Sequence, residues 1–358
     1  MSFPRIRNAI HQRSTHAITN RRWKQLNDRI TETARVDSNQ PPVIFFNAST
    51  RLEAVSQNAA YSFLASKSLN LAGIPVVYFA CHAGLTRCVL GSNRDDVTRQ
   101  PPCKQCIAQS KRLFDAEHLR WFENNPAPEL NALLEPLTVP QMETFEYNSL
   151  PLGRWAVNSL RWVLRRYHLK DDAATRTFFR HFIHSAWNVY TQFNALLDEM
   201  NPRAVVVFNG MFFPEAAARF ACLQKGIRVI THEVGIQPYT AFFTPGEATA
   251  YPIHIDESFQ LDESMNRRLD DYLAQRMQGN FTMAGIRFWP EMRGLSAEFL
   301  ALAAQFEKIV PVFTNVIFDT SQVHANTLFP EMFSWLQNVR EAILRHPEIL
   351  FVIRAHPD

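Results

Sequence analysis

The chain has 358 residues, of which 46% are hydrophobic and 20% are charged, and its net charge at pH 7 is +3. This length predicts two domains, and the composition is ordinary for a water-soluble globular protein. The small positive charge gives no basis for a nucleic-acid partner. The 11 glycines form neither a G-x-G-x-x-G nor a G-x-x-x-x-G-K-[ST] motif, which argues against a conventional dinucleotide or P-loop site.

The chain has no pattern of a membrane-spanning or secreted protein. Its apolar runs all fall short of the roughly 18 residues that a membrane-spanning helix needs. Residues 1–40 are mostly polar and lack the apolar core of a signal peptide. We therefore expect a cytoplasmic protein whose five cysteines are reduced.

The first 40 residues are basic, with eight Lys and Arg side chains against three acidic ones. A solvated N-terminal helix or arm is the ordinary interpretation of such a charge run. The alternative is a peripheral contact with anionic lipid at the inner face of the membrane. The apolar residues of this segment are sparse for an amphipathic anchor.

Strand and helix patterns alternate between residues 41 and 295. Strands are predicted at 43–47, 74–80, 204–208 and 227–230, and helices at about 52–71, 173–200 and 214–224. A cysteine-rich loop spans 81–106, and a mostly helical insertion spans 107–200. Strand–helix–strand order with this spacing predicts parallel βαβ units, so we expect an N-terminal Rossmann-like domain.

A second alternation of strand and helix patterns covers residues 305–358. A strand is predicted at 308–313, a helix at about 330–345, and a strand buried on both faces at 349–353. The chain ends directly after this strand, without a helix to cover it. We therefore expect an α/β protein with two Rossmann-like domains, the second incomplete and continued in a longer protein.

Four of the five cysteines fall within 26 residues, at Cys81, Cys88, Cys103 and Cys106. Four thiolates can complete a tetrahedral zinc site, and the spacing of the last two is that of a zinc knuckle. The spacing of the first two is wider than usual, and His82 is an alternative ligand. A structural zinc that holds residues 84–102 together is one interpretation; reduced cysteines, a disulfide and an iron–sulfur cluster are the others. Cys222, on a helix with three alanines, is expected in the core.

The sequence Thr-His-Glu-Val-Gly at 231–235 follows a predicted strand, at the end where open α/β sheets bind ligands. A carboxylate beside an imidazole can deprotonate a hydroxyl group, so His232 and Glu233 are candidate catalytic residues. The alternative is that Glu233 caps a following helix and His232 is a hydrogen-bonded neighbour. The polar residues 47–50 and 209–210, at two other strand ends, are assigned to turns and caps.

Polar residues also follow both predicted strands of the second domain. Thr314 and Asn315 offer hydroxyl, amide and backbone N–H donors to a phosphate, and Asp319 is either a further site residue or a turn cap. Arg354 and His356 are neighbouring donors at a strand end, and such groups require solvent or an anionic partner. The sequence therefore allows two interpretations here, a site for an anion such as a phosphate or side chains exposed to solvent.

Three segments near the C-terminus carry a resemblance to a known family. They are Val-Phe-Thr-Asn-Val-Ile-Phe-Asp-Thr-Ser at 312–321, Phe-Ser-Trp-Leu at 333–336 and Ile-Arg-Ala-His-Pro-Asp at 353–358. Together they resemble the capsule polysaccharide biosynthesis glycosyltransferases, a group that includes Kdo transferases. The preceding residues resemble this family mainly in the order of their elements, with 231–235 as the acceptor-side signature.

The resemblance implies a GT-B architecture and transfer of a sugar from a nucleotide-sugar donor to a cell-surface polysaccharide or glycolipid acceptor. It implies that Arg354 and His356 hold the donor phosphate, that Thr314 and Asn315 line the same pocket, and that Glu233 is the general base. No metal or cofactor is implied for catalysis, and the cysteines are not explained. Two other functions stay open: a non-catalytic binding or scaffold protein of envelope polysaccharide assembly, and a nucleotide-sugar epimerase.

Overall fold

The computed structural model of the chain describes residues 3–48, 55–237, 239–280 and 294–356. The chain divides into two compact units. The first comprises Met1–Leu164, His168–Glu233 and Phe243–Ala248, and the second comprises Arg165–Tyr167, Val234–Phe242 and Thr249–Asp358. The second unit thus takes in residues from Thr249 onward, ahead of the boundary between 295 and 305 that the sequence predicted.

The larger sheet forms the centre of the first unit. Its strands are β1 Val43–Asn47, β2 Val76–Cys81, β3 Leu119–Phe122, β4 Ala204–Phe208, β5 Val229–Val234 and β6 Ala241–Thr244. They lie in the order β3-β2-β1-β4-β5-β6, and the pairs among the first five strands are parallel. The predicted α/β class is confirmed, and this order is that of a doubly wound sheet.

Helices cover both faces of this sheet. They are α1 Phe3–Thr33, α2 Gln57–Leu71, α3 Cys103–Leu113, α4 Pro128–Leu134, α5 Val139–Glu143, α6 Leu152–Leu164, α7 Ala173–Met200 and α8 Phe213–Gln224. Side chains alternate along a strand, so Ile44 and Phe46 join a core with α6, α7 and α8, while Val43 and Phe45 join another with α2 and α3. β1 is therefore buried on both faces, as its apolar sequence predicts.

The basic N-terminal segment is helical, and the second half of this helix packs against α2 and the residues after α3 within the first unit. The Trp23 ring meets the Phe63 ring edge-on at 5.0 Å, and Asn27 Nδ2 donates to Asp115 Oδ1 at 3.1 Å. The basic side chains of Arg21 and Arg22 are exposed. Among the helices of the described ranges, none combines the length and the apolarity that crossing a membrane requires.

The second unit contains a smaller parallel sheet. Its elements are α9 Glu263–Met277, α10 Ala297–Ala303, β7 Lys308–Phe313, α11 Gln322–Ala325, α12 Met332–Arg345 and β8 Ile349–Arg354. β7 and β8 pair in parallel, with Phe313 opposite Arg354. The prediction that 349–353 is buried on both faces is wrong for the described residues, because none of these five residues is buried and Ile353 is 53% exposed.

Several elements differ from the sequence predictions. β3 lies within the stretch that was predicted to be mostly helical, and β6, α9 and α10 were not predicted. β5 begins two residues later than predicted and continues to Val234. His232 and Glu233 therefore lie within the last three residues of β5. Glu233 does not cap a helix.

Candidate active site and cysteine cluster

The carboxyl ends of the parallel strands meet at one edge of the larger sheet. β2 ends at Cys81, β4 at Phe208 and β5 at Val234. β4 and β5 are neighbours, with Phe208 opposite His232 in the ladder. The residues that follow β4 therefore lie beside the predicted catalytic pair on β5.

His232 is enclosed in an aromatic pocket and is 2% exposed. Its ring stacks on the Phe243 ring at 5.2 Å and lies 5.7 Å from the Phe208 ring. Within the described residues, its buried Nδ1 has no hydrogen-bond partner. Burial lowers the pKa of His232 from 6.5 to about 4, because a charged imidazole is poorly solvated there. The ring is therefore neutral at pH 7.

Glu233 points its carboxylate toward the neighbouring strand end and is only half-buried. Asn209 Nδ2 donates to Glu233 Oε2 at 3.1 Å. The same asparagine accepts from the backbone N–H of Met211 at 3.0 Å, and its own N–H donates to the carbonyl of His232 at 2.8 Å. Asn209 has a left-handed backbone, with φ of 59°, which asparagine tolerates. The turn assigned to residues 209–210 thus also orients the carboxylate.

A cavity of about 240 Å³ opens beside this turn, lined in part by Gly210, Arg219 and Glu247. Arg219 forms an ion pair with Glu247, and a Cβ on Gly210 would lie 3.5 Å from Arg219 Cδ. Trp155 and Phe220 add aromatic surface to the wall, and Asn158 and the exposed Arg154 add polar groups. None of these side chains was singled out from the sequence, because they come from α6, α8 and a loop distant from one another in the chain.

Asn47, at the end of β1, has a structural role. It is 2% exposed, accepts from Ser62 Oγ at 3.2 Å and donates to the carbonyl of Phe45 at 3.3 Å. Asn47 thus links β1 to α2 rather than forming the turn or cap that the sequence predicted. The neighbouring Ser49 and Thr50 lie outside the described residues.

The second unit brings Thr314, Arg354 and His356 together at the carboxyl ends of β7 and β8. The Thr314 N–H donates to the Arg354 carbonyl at 3.1 Å, and the His356 N–H donates to Thr314 Oγ1 at 3.1 Å. The Thr314 N–H is thus used within the protein, and its hydroxyl remains as a donor. The exposed guanidinium of Arg354 makes no ion pair or hydrogen bond to any residue that the structure describes.

Asn315 and Asp319 lie in the turn that follows β7. Asn315 Oδ1 accepts from the Val316 N–H at 2.8 Å, and Asp319 Oδ1 accepts from the Ser321 N–H at 2.9 Å. These contacts favour the turn role that the sequence left open for Asp319. A carboxylate is also a poor neighbour for a phosphate. Asn315 is exposed and keeps its amide N–H groups for a ligand.

Cys81, Cys88, Cys103 and Cys106, which we call the cysteine cluster, are half-buried. All five cysteines of the chain are described, and none forms a disulfide. Burial, with a smaller contribution from neighbouring thiols, raises the pKa of Cys81 to about 11 and that of Cys88 to about 12. In the described ranges, no group of three or more His, Cys, Asp or Glu residues has an arrangement that could hold a metal ion.

His82, the alternative ligand, is paired with Glu123. Its Nδ1 lies 2.8 Å from Glu123 Oε1, and its ring packs 5.2 Å from the Trp121 ring. Cys222 is fully buried on α8 among alanines, as the sequence predicted.

The chain was compared with known proteins and protein families. No family model matched the sequence, and no curated protein matched it. The assignment of function therefore depends on the residues described above and on the resemblance of the C-terminal segments.

Proposed function

We propose that the protein is an inverting, metal-independent glycosyltransferase that transfers a sugar from a nucleotide-sugar donor to a polysaccharide or glycolipid acceptor. The observation that carries the proposal is the carboxylate of Glu233, which Asn209 holds at 3.1 Å at the carboxyl end of a parallel sheet. Transfer to an alcohol needs a base within reach of the hydroxyl proton, and a half-buried carboxylate meets that need. The resemblance of residues 312–358 supports the same reaction class.

In this reaction the acceptor hydroxyl oxygen bonds to the anomeric carbon as the bond from that carbon to the donor phosphate breaks. Glu233 takes the hydroxyl proton. The neutral, enclosed His232 transfers no proton, and its carbonyl instead accepts from the Asn209 N–H, which fixes the asparagine that holds the base. Direct displacement by a single base inverts the anomeric configuration.

The cavity beside Gly210 is the candidate acceptor site. It lies at the end of β4, next to the turn that positions Glu233, and its wall combines the indole of Trp155 with Arg154 and Asn158. A mixture of aromatic surface and a few directed polar groups is typical of small-ligand sites. The exposed arginine favours an acceptor that carries a negative group.

The strand ends of the second unit are the candidate site for the donor phosphate. Negative charge grows on the phosphate as the nucleotide leaves, so fixed donors aimed at its oxygens stabilise the transition state. The guanidinium of Arg354, the ring of His356 and the hydroxyl of Thr314 are the groups that supply such donors. A phosphate bound there would also accept charged hydrogen bonds from the exposed guanidinium.

The proposal is tested by measuring nucleotide release from a panel of CMP-, UDP- and GDP-sugars by the full-length protein. We expect one donor class to be turned over, and Glu233→Gln to lower that turnover by about 10²- to 10⁴-fold, since a general base contributes that much. Glu263→Gln is the matched control, because Glu263 is an exposed carboxylate on α9. Its turnover should equal that of the wild type.

Two results would favour the other functions. Donor binding without any turnover, unchanged in Glu233→Gln, would favour a non-catalytic binding or scaffold protein. Conversion of the donor sugar into its epimer, with the nucleotide still attached, would favour an epimerase. Either result contradicts the transferase proposal.

A further inference from the structure

A second cavity lies within the first unit, at the end of the strands opposite to Glu233. Its wall includes Val76, where β2 begins, and His118, which directly precedes β3, so it opens at the amino ends of these parallel strands. Its volume of about 470 Å³ falls within the range of small-ligand sites. The end of α1, the last turns of α2 and residues 115–117 form the rest of the wall of this space, which we call the Lys67 cavity.

A buried ammonium lies in the wall of the Lys67 cavity. The side chain of Lys67 is 3% exposed, and Asp115 Oδ2, at 3.3 Å, is the only hydrogen-bond acceptor of its Nζ among the residues that the structure describes. The rings of Phe63 and Tyr78, at 5.4 Å and 5.7 Å from Nζ, stabilise the charge without offering an acceptor oxygen. An ammonium has three N–H donors, so two are left for a group in the cavity. Unused donors of a buried charge cost free energy, so this wall favours a ligand with acceptor oxygens.

The carboxylate of Asp115 is held in place beside this ammonium. Its Oδ1 accepts from Asn27 Nδ2 at 3.1 Å, and its Oδ2 accepts from Lys67. Each carboxylate oxygen can accept two hydrogen bonds, so each keeps one position for a donor from the cavity. The side chain is 36% exposed, which leaves it within reach of a ligand.

The charges of the wall disfavour a charged ligand. Lys67 and Asp115 together have no net charge, and the exposed Glu117 adds a negative one. An anion drawn to Lys67 would be repelled by Asp115, and a cation drawn to Asp115 would be repelled by Lys67. An uncharged ligand with hydroxyl groups meets neither penalty, because a hydroxyl both accepts and donates. One hydroxyl can accept from Lys67 while its neighbour donates to Asp115.

An amide and apolar surface add to this wall. Asn70 Nδ2 donates to the Ile74 carbonyl at 3.1 Å, which fixes the amide and leaves Oδ1 to accept from a hydroxyl. Apolar side chains, among them Ile30 and Val76, give surface against which the C–H groups of a sugar ring can pack. A few directed polar groups on a partly apolar wall are typical of a small-ligand site.

We propose that the Lys67 cavity binds an uncharged monosaccharide unit, which is held by two neighbouring hydroxyl groups. One hydroxyl oxygen accepts from Lys67 Nζ, and the next hydroxyl donates to Asp115. No bond is made or broken there, so the site anchors a saccharide and takes no part in catalysis. It is independent of the proposed transfer, because it shares no residue with the cavity beside Gly210 and lies at the opposite end of the strands.

The test is NMR titration of the full-length protein with glucose, galactose, mannose and N-acetylglucosamine, and with acetate and inorganic phosphate as charged probes. We expect at least one of the four sugars to bind. Lys67→Met should weaken that binding by about 10- to 100-fold, because it removes a charged hydrogen bond. Lys104→Met is the matched control and should bind as the wild type does, since Lys104 is exposed on α3 and does not line the cavity.

A second variant leaves the Lys67–Asp115 pair in place. Ala34 lines the cavity, so Ala34→Trp should weaken binding as strongly, because the larger side chain occupies the space of the sugar. Arg154→Ala, in the wall of the cavity beside Gly210, should leave this binding unchanged.

Three results would overturn the proposal. The first is that none of the four sugars binds, or that acetate or phosphate binds in their place. The second is sugar binding that both Lys67→Met and Ala34→Trp retain. The third is loss of binding in Arg154→Ala, which would place the sugar beside Gly210 instead. The transferase proposal survives the first two results, since donor turnover decides it.

Discussion

The enclosed imidazole of His232 predicts a specific loss of stability in acid. The side chain is 2% exposed, and its pKa is about 4 in the folded chain against 6.5 when solvated. The unfolded chain therefore takes up the proton first. The contribution of this residue to stability is fully present above pH 6.5 and is lost as the pH falls from 6.5 toward 4.

The size of the effect follows from these two pKa values. The difference between 6.5 and about 4 corresponds to a total of about 3 kcal/mol. About 2 kcal/mol of this should be lost between pH 7 and pH 5, because the unfolded histidine is almost fully protonated at pH 5 while the folded one is still neutral. A loss of this size is a large share of the stability of an ordinary domain.

The assay is urea unfolding of the wild type and of His232→Gln at pH 7 and pH 5. The free energy of unfolding of the wild type should fall by about 2 kcal/mol more than that of the variant, which has no titrating group at this position. The comparison is needed because burial also lowers the pKa of His181 and His184. His254→Gln, at an exposed position, should keep the wild-type pH dependence. Parallel pH dependence of His232→Gln and the wild type would refute the enclosed, neutral imidazole.

Three further predictions concern other contacts. Gly153→Ala should lower the free energy of unfolding by about 3 kcal/mol, because the new Cβ would lie 2.0 Å from the Met142 carbonyl oxygen, and an unchanged urea midpoint would contradict this. Asp115→Ala should cost about 2 kcal/mol in the same assay, since it leaves the 3% exposed Lys67 ammonium without its carboxylate at 3.3 Å, whereas Lys67→Met should cost less than half as much. Asn209→Ala should lower kcat for sugar transfer by about 10- to 100-fold with little change in donor KM, because the base loses its orienting hydrogen bond; an unchanged kcat would remove the positioning role.

Long apolar runs made much of the first unit predictable. β4 and α7 have the predicted bounds, because a five-residue apolar strand and a long aromatic-rich helix leave little ambiguity. β3 was missed, since it has only four residues, Leu-Arg-Trp-Phe, which include an arginine and show neither an apolar run nor alternation. Its strand character comes from pairing with β2, which the local pattern does not contain.

The candidate site was only partly predictable for the same physical reason. Glu233 is a candidate from the sequence because polar residues follow an apolar run there, although the strand itself continues to Val234. Its partner Asn209 lies 24 residues away and was assigned to a turn, because the contact depends on β4 and β5 being neighbours in the sheet. The enclosure of His232 was also not predictable, since it requires Phe243 from a later strand.

The central claim is that Glu233 acts as the base and that Arg354 holds the donor phosphate. The most direct test is steady-state donor turnover by the full-length protein, with kcat and donor KM measured for Glu233→Gln and Arg354→Ala. We expect Glu233→Gln to lower kcat at nearly unchanged donor KM. We expect Arg354→Ala to raise the donor KM by about 10- to 100-fold, because the variant loses a charged hydrogen bond to the donor phosphate. Folded variants that both keep the wild-type kcat and donor KM would contradict this claim.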